Sequence, residues 1–226
     1  MLNISKESIK ILSDNMCIDI NHLQEKIESP EIVQYSSLVC EAIDSLCEFV
    51  ITEEDPCRIR WFYTELINAE EDEDLYGVLD NLCMAFFRYA KGGLNALYVN
   101  QENEAWFPKI ILTQVLYPND IGSLQDNFLI YRGCNISEFN SRCYGQSWTT
   151  KIDIARSFAY NHYSSQDWFS ENDRIILVAN YARKNVLYSD QTDYGEFEIV
   201  VHSGKLENVG LLGKECESAQ NSVSFK

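Results

Sequence analysis

The chain has 226 residues, of which 46% are hydrophobic and 12% aromatic, so it can bury a core and is not a disordered polypeptide. Lys and Arg number 18 against 35 Asp and Glu, and residues 1–126 hold −15 of the net charge of −17. Such an acidic surface disfavours non-specific binding of nucleic acid and suits either a basic partner or a solvated face.

Patterns for export, membrane insertion and metal binding are missing from the sequence. The first residues contain no long apolar run followed by a small-residue cleavage site, and no stretch approaches the roughly 18 apolar residues of a membrane span. The eight cysteines and three histidines have no zinc-site spacing. We therefore expect a soluble, cytoplasmic protein that has no membrane contact or metal and whose thiols are free and mostly buried.

The N-terminal part of the chain predicts helices. Ser5 is a suitable N-cap for a first helix, and Ser29 with Pro30 is a suitable start for a second, whose apolar residues recur at helical spacing. The apolar segment "EDLYGVLDNLCMAFFRYA" predicts a core helix that ends at Gly92 and Gly93.

The second part of the chain predicts strands. "NALYV" is apolar and mixed, and "PKIILTQVLY" fits either a strand or a helix. The segments "NFLIYRG", "DRIILVANY", "KNVLYS" and "GEFEIVVHSG" are typical of strands, and "KIDIARSFAYNHY" is typical of a helix. The fold class is therefore α+β, with a helical region at residues 1–100, separate or part of the same domain, and a strand-rich core at 101–226.

Three short segments suggest chemistry. In "LIYRGC", Arg132 ends a buried strand, and its guanidinium suits a carboxylate or a phosphate. Gly133 would let a ligand approach the backbone closely. The alternative for Arg132 is a structural salt bridge to Glu196 or Glu198.

The other two segments are "YGQSWTTKIDIARSFA" and "DYGEFEIVV". The first places the hydroxyls of Ser147 and Thr149 around Trp148 just before a helix, where a simple helix cap is the alternative. The second carries Glu196 and Glu198, which on a strand would project from one face and raise each other's pKa. A solvated strand face is the alternative for this pair.

Together and in this order, the three segments resemble the ADP-ribosyltransferase superfamily, in the branch named for an Arg–Ser–Glu triad. That branch includes cholera-toxin-like and related clostridial enzymes. The resemblance covers about residues 127–205, and its matching pieces are "YRG" at 131–133, "SWT" at 147–149, "ARSFA" at 155–159 and "GEFEIVV" at 195–201. It implies a catalytic core of two packed sheets, with NAD as the substrate.

The resemblance also implies roles for individual residues. The family cleaves the nicotinamide–ribose bond through an oxocarbenium-like transition state, which a carboxylate stabilises. That carboxylate is Glu198, and Ser147 would hold it by a hydrogen bond. Arg132 would bind the phosphates of NAD, and Thr149 would support the strand pair or the nicotinamide ribose. The residues implied to contact NAD are Arg132, Gly133, Ser147, Thr149 and Phe158.

Glu196 would orient or deprotonate the acceptor. In this family a glutamate at that position usually accompanies arginine acceptors, and a glutamine accompanies asparagine or nucleotide acceptors. Protein arginine is therefore the expected acceptor. The alternatives are transfer to a nucleic-acid base, hydrolysis of NAD by water, and a catalytically dead fold used only for binding.

Two loops and one departure complete the resemblance. The loop at 160–172 would stack Tyr163, Trp168 or Phe169 on nicotinamide, and in the loop at 189–196 Tyr194 would touch the acceptor. The family's usual Ser-Thr-Ser is Ser-Trp-Thr here. Signal-less members often act as toxins, effectors or phage-conflict enzymes, so the acidic first half would bind a target, an antitoxin or a chaperone.

Overall fold

The structure is a computed structural model that describes residues 3–51, 56–68, 73–101, 106–166, 168–192 and 195–212. The chain divides into two compact units, residues 1–111 and 112–226. The division lies beyond residue 100 because the following segment hydrogen-bonds within the first unit. Asp19 N donates to Lys109 O over 2.9 Å, and Ile111 N donates to Cys17 O over 2.7 Å.

The first unit is helical, as the sequence predicts. Ser5 caps its first helix, since the Ser5 Oγ accepts a hydrogen bond from Ser8 N over 3.1 Å. A π-helical turn at Ile11–Asn15 continues that helix. The described helices of this unit are α1 (Lys6–Lys10), α2 (Ile20–Ile27), α3 (Ser36–Ile51), α4 (Pro56–Asn68) and α5 (Glu73–Val99).

Of two predicted helix boundaries in this unit, one is wrong and one is confirmed. Helix α3 begins at Ser36 rather than at Ser29, because Ser29 O accepts from Ile32 N and Val33 N and closes a separate turn. Gly92 and Gly93 leave the helical conformation, with φ of 65° at Gly93, yet α5 resumes after them. The predicted stop is therefore confirmed as a break between two helical segments, and "NALYV" lies in the second of them.

The second unit consists of a sheet with two described helices. The described strands are β1 (Asn127–Asn135), β2 (Ser147–Thr149), β3 (Arg174–Ala182), β4 (Val186–Asp190), β5 (Glu198–Val201) and β6 (Gly210–Leu212). The helices are α6 (Ile136–Ser141) and α7 (Ile152–Tyr160). All six strands pair antiparallel in the order β4-β5-β2-β1-β3-β6. The α+β class is confirmed, and the strands of the described ranges form one sheet.

Helix α7 covers one face of the sheet and explains Gly133. A Cβ at Gly133 would lie 2.1 Å from Ala155 O and 2.5 Å from Ala159 N, both on α7. The missing side chain therefore lets the helix pack onto β1, which corrects the expectation that it gives a ligand access to the backbone. The opposite face buries a cluster of Ile130, Cys134, Trp148, Leu177, Ala179, Tyr181, Val186, Ile199 and Val201.

The strand order brings the three sequence motifs together. Strand β2 lies between β1 and β5, with Tyr131 opposite Thr149 on one side and Thr149 opposite Glu198 on the other. The motifs are distant in sequence, and pairing in the sheet makes them neighbours.

Three further features of the described residues complete the fold. None of the helices that the structure describes is long and apolar enough to cross a membrane. The described cysteines are free, and those that are not buried are Cys57 and Cys143. Within the described ranges, no group of three or more His, Cys, Asp or Glu side chains is placed to hold a metal ion.

Candidate active site

Arg132 lies in a hydrogen-bonded network on the side of β2 that pairs with β1. We call this network the Arg132 corner; it consists of Arg132, Glu138, Gly145 and the carbonyl of Ser147. The Arg132 fork donates to both carboxylate oxygens of Glu138, over 2.9 Å from Nε and 3.0 Å from Nη2. Its Nη1 donates to Ser147 O over 2.7 Å. Gly145 N also donates to Glu138 Oε2 over 3.0 Å, so one carboxylate holds both the strand arginine and the chain before β2.

The Arg132 corner corrects the salt bridge considered from sequence. The observed partner is Glu138, at the start of α6, and not Glu196 or Glu198. Burial opposes the charged guanidinium, but the Glu138 carboxylate outweighs it and raises the pKa of Arg132. Three of the five N–H groups of a guanidinium are used in this way, which leaves two for any further acceptor.

Ser147 connects this corner to the other side of β2. The Ser147 hydroxyl is exposed and donates to Glu198 Oε1 over 2.7 Å, across the β2–β5 pair. The hydrogen bond that the resemblance implied is therefore present, and its catalytic purpose stays a prediction. Ser147 serves the two sides with different atoms, because Arg132 binds its carbonyl and Glu198 binds its hydroxyl.

The alternation of side chains puts these two contacts on different faces of the sheet. Arg132 lies between Ile130 and Cys134 on β1, and both neighbours belong to the buried cluster around Trp148. Ser147 adjoins Trp148 on β2, so its side chain leaves the opposite face. Arg132 reaches Ser147 only through the backbone.

The sequence predicts that Glu196 and Glu198 lie on one continuous strand, and the structure shows that they do not. Strand β5 begins at Glu198, and Phe197 adopts a left-handed conformation with φ of 50°. The left-handed residue breaks the two-residue alternation, so the expectation that strand geometry projects both carboxylates from one face is wrong. Glu196 is exposed, whereas Glu198 is half-buried.

The environment of Glu196 favours its protonated form. Partial enclosure of the carboxylate raises its pKa, and the charge of His162 acts in the opposite sense. Burial is therefore the main cause of the raised pKa of Glu196. The sequence instead predicts repulsion from Glu198 as the cause. A carboxyl group with a raised pKa is better suited to accept and return a proton near neutral pH.

Thr149 and Trp148 have structural partners. Thr149 is 5% exposed; its Oγ1 donates to Glu196 O over 2.8 Å and accepts from Lys151 N over 3.1 Å. It thus supports the strand pair, one of its two expected roles. Trp148 is 2% exposed, and its Nε1 donates to Gly145 O over 2.9 Å, so the unexpected central tryptophan is a core residue.

A row of rings follows α7. Phe158 contacts His162 in a tilted arrangement at 4.7 Å, His162 meets Tyr163 edge to face at 4.6 Å, and Tyr163 contacts Trp168 in a tilted arrangement at 5.4 Å between ring centroids. Arg174 anchors this row, because it donates to the carbonyl of Phe158 over 3.0 Å. Trp168 is 62% exposed and so offers an accessible ring, whereas Phe169 is half-buried. Tyr194 lies outside the described residues.

Sequence reasoning missed three polar residues of the site. Glu138 holds Arg132, and its position in the first turn after β1 is a usable signal. Gln146 precedes β2 and ties it to Leu112, whose N and O it binds over 2.8 Å each. Gln191 binds Glu198 O over 3.1 Å. Gln146 acts on a residue 34 positions away, which no local pattern reveals, whereas Gln191 binds a carbonyl only seven positions along the chain.

A groove of about 710 Å³ in the second unit lies away from these residues. It is lined by the segment from Val115 to Asn127 and by the turn from Ala182 to Val186, and none of the sequence-predicted site residues lines it. The sequence-predicted site residues therefore lie on or next to the inner strands β1, β2 and β5 and not in this groove.

Comparisons with protein-family models, curated proteins and solved structures find no match for this chain. The assignment of a function therefore rests on the residues and geometry described above.

Proposed function

We propose that this protein is an NAD-dependent mono-ADP-ribosyltransferase whose favoured acceptor is protein arginine. The observation that carries the proposal is the hydrogen bond of 2.7 Å from the exposed Ser147 hydroxyl to Glu198 Oε1. A carboxylate held in one orientation next to an accessible hydroxyl is suited to stabilise positive charge that develops on a ribose.

The residues around this bond fit parts of NAD by their chemistry. Glu198 would accept a hydrogen bond from a ribose hydroxyl and stabilise the oxocarbenium-like transition state. Arg132 would bind no part of NAD next to Glu198, because its side chain leaves the opposite face of the sheet; it would act by fixing Ser147 through the carbonyl. Gly133 is withdrawn as a ligand contact because α7 fills the space beside it. Thr149 would hold the backbone just before Glu198 in place through its hydrogen bond to Glu196 O.

Glu196 supports arginine as the acceptor. Glu196 as a residue is exposed while its carboxylate is partly enclosed, so a macromolecule can reach it. A guanidinium pairs well with a carboxylate and must lose a proton to become a nucleophile. The raised pKa of Glu196 suits it to take that proton.

A nucleic-acid base is the second candidate acceptor, and Lys151 is the observation that favours it. The Lys151 ammonium lies 4.6 Å from the centre of the ring of Phe197, the residue between the two glutamates in the sequence. A cation at this position would hold a phosphate next to the acceptor group and would repel a guanidinium. The near-neutral charge of residues 127–226 is compatible with such a contact.

The biological setting is part of the proposal. An enzyme of this kind would act inside a cell as a toxin, an effector or a phage-conflict protein. The acidic residues 1–126 would bind a basic target, an antitoxin or a chaperone.

The test is incubation of the purified protein with a cell lysate and isotope-labelled NAD, followed by mass spectrometry of protein and nucleic acid separately. Label on protein arginines supports the proposal and identifies the target. Label on RNA or DNA moves the second candidate to first place, and free ADP-ribose alone indicates water as the acceptor. If no nicotinamide is released in lysate, the enzyme assignment is wrong and a binding function replaces it.

A further inference from the structure

Three consecutive carbonyl groups are held at the point where β5 begins. We call residues Glu196–Glu198 the glutamate turn. Thr149 Oγ1 donates to Glu196 O over 2.8 Å, and Thr150 N donates to Phe197 O over 3.1 Å. Gln191 Nε2 donates to Glu198 O over 3.1 Å. Every carbonyl of the turn therefore has a donor.

Gln191 has the most partners in this arrangement. Its Nε2 also lies 3.3 Å from Asp190 O, and its Oε1 accepts from Thr150 Oγ1 over 2.8 Å. Its own N donates to Asp120 Oδ2 over 2.6 Å, which fixes the backbone that carries the side chain. One side chain thus joins the residue after β2, the end of β4 and the start of β5.

The glutamate turn needs such support because Phe197 is strained. A left-handed φ is rare for a large non-glycine residue, and it persists only where the surroundings impose it. The contacts that impose the left-handed conformation on Phe197 are the three carbonyl hydrogen bonds and the Lys151 ammonium over its ring. In extended backbone, Glu196 and Glu198 would share a face.

We propose that Gln191 is a positioning residue that holds the glutamate turn in its left-handed form and so separates the directions of the two glutamates. Glu198 then meets Ser147, and Glu196 stays exposed to the acceptor. The catalytic consequence rests on the proposed function, whereas the mechanical consequence does not. Gln191 would act on the rate of the reaction and not on the binding of NAD.

The test compares four single variants and the double variant of Gln191→Ala with Phe197→Gly by two measurements. Gln191→Ala removes both ends of the amide, and Gln191→Glu keeps an acceptor for Thr150 Oγ1 but cannot donate to Glu198 O. Gln101→Ala is the matched control, because the Gln101 amide also donates to a backbone carbonyl, Tyr98 O over 3.0 Å, in the first unit. Phe197→Gly relieves the strain, since glycine adopts positive φ freely. The measurements are nicotinamide-release kinetics and hydrogen exchange of residues 195–201.

We expect Gln191→Ala and Gln191→Glu to lower kcat for nicotinamide release by about tenfold, the scale of one hydrogen bond to a positioned group. The KM for NAD should stay within about twofold, and exchange at 195–201 should accelerate by about fivefold. Gln101→Ala should change neither. In the Phe197→Gly background the effect of Gln191→Ala should shrink to about twofold, which a general loss of stability would not produce.

The outcomes separate the two proposals. Unchanged exchange at 195–201 in Gln191→Ala overturns the positioning role, whether or not the protein cleaves NAD. A wild type that releases no nicotinamide while exchange responds as expected overturns the enzymatic function and leaves only a mechanical role for Gln191. A rise in KM with unchanged kcat, or an undiminished effect in the Phe197→Gly background, also overturns the positioning role.

Discussion

The Arg132 corner and the glutamate turn lie on the two sides of β2 and are built in opposite ways. In the corner, every named group is paired within the protein, and Gly145 has no side chain because a Cβ there would lie 2.4 Å from Arg132 Nη2. In the glutamate turn, the three backbone carbonyls are paired while Glu196 is exposed. The corner is thus built for rigidity, and the turn presents charged groups on a rigid backbone.

This difference shows that residues of one sequence motif can have different roles in the structure. Arg132 and Glu198 both read as ligand-binding groups, yet Arg132 already has an ion pair and Glu198 contacts an accessible hydroxyl. Substitutions in the corner should therefore lower mainly the free energy of unfolding. Substitutions in the glutamate turn should lower mainly the catalytic rate.

The largest expected effect is that of Glu198→Gln. The amide can still accept from Ser147 Oγ, so the fold should be kept, but the charge that under the proposed function would stabilise the transition state is lost. We expect nicotinamide release to fall at least about a hundredfold with an unchanged melting temperature. Glu207→Gln, at an exposed glutamate, is the control. Near-normal turnover by Glu198→Gln would remove this residue from the catalytic site.

Glu196→Gln should separate the two half-reactions. It lies outside β5, and its carboxylate is not the partner of Ser147, so NAD cleavage should continue. Transfer to the acceptor should fall by about a hundredfold, the usual scale of a general base. The ratio of labelled acceptor to released nicotinamide measures the effect, and an unchanged ratio would contradict the acceptor-side role.

Gly133→Ala tests the packing of α7 on β1. The added Cβ would meet backbone atoms of Ala155 and Ala159, which cannot move independently of the helix. We expect the free energy of unfolding to fall by about 3 kcal/mol in chemical denaturation. Gly122→Ala, with no atom within 4 Å of the added Cβ, should change it by less than about 0.5 kcal/mol. A stable Gly133→Ala with a raised KM for NAD would instead restore the ligand contact.

Glu138→Gln should weaken the Arg132 corner without touching the glutamate turn. The amide keeps one acceptor for the Arg132 fork but leaves a largely buried guanidinium without its opposite charge. We expect a loss of about 2 kcal/mol in the free energy of unfolding. Asp153→Asn breaks the exposed Arg156–Asp153 pair and should cost less than about 0.5 kcal/mol. Equal effects of the two substitutions would show that the corner adds no special stability.

The smallest effect concerns pH. The positive charge of protonated His162 lowers the pKa of Glu196, against the raising effect of burial. In His162→Ala the pKa of Glu196 should therefore rise, and the acid limb of the pH profile of transfer should move to higher pH. The pH profile of nicotinamide release, which does not need Glu196, is the internal control. A shift of the acid limb to lower pH would contradict the assignment.

The sequence predicts those parts of the fold in which local pattern and tertiary contacts agree. The cap at Ser5 follows from the N-cap preference of serine, and the strands around Arg132 and Val178 and the helix that contains Ala155 follow from residue type and periodicity. Ser29 with Pro30 has a good helix-start pattern but lies in a preceding turn, whose local hydrogen bonds to Ser29 O close it before α3 begins at Ser36.

The site was less predictable because its geometry depends on one backbone angle and on distant partners. Periodicity treats Phe197 as extended, and no residue type at that position announces φ of 50°. Glu138 could not be chosen over Glu196 or Glu198 as the partner of Arg132 without the turn that follows β1. The Ser147–Glu198 bond was accessible only through the family resemblance, since 51 residues separate its members.

The two contacts of Ser147 determine which amino acids position 147 can accept during evolution. Arg132 binds its carbonyl, which every amino acid possesses, whereas Glu198 binds its hydroxyl, which few possess. A gene that lost the activity could therefore accept many residues at 147 and still encode a folded protein. Retention of a hydroxyl there among descendants would record selection for chemistry, and its loss would record an enzyme that became a scaffold.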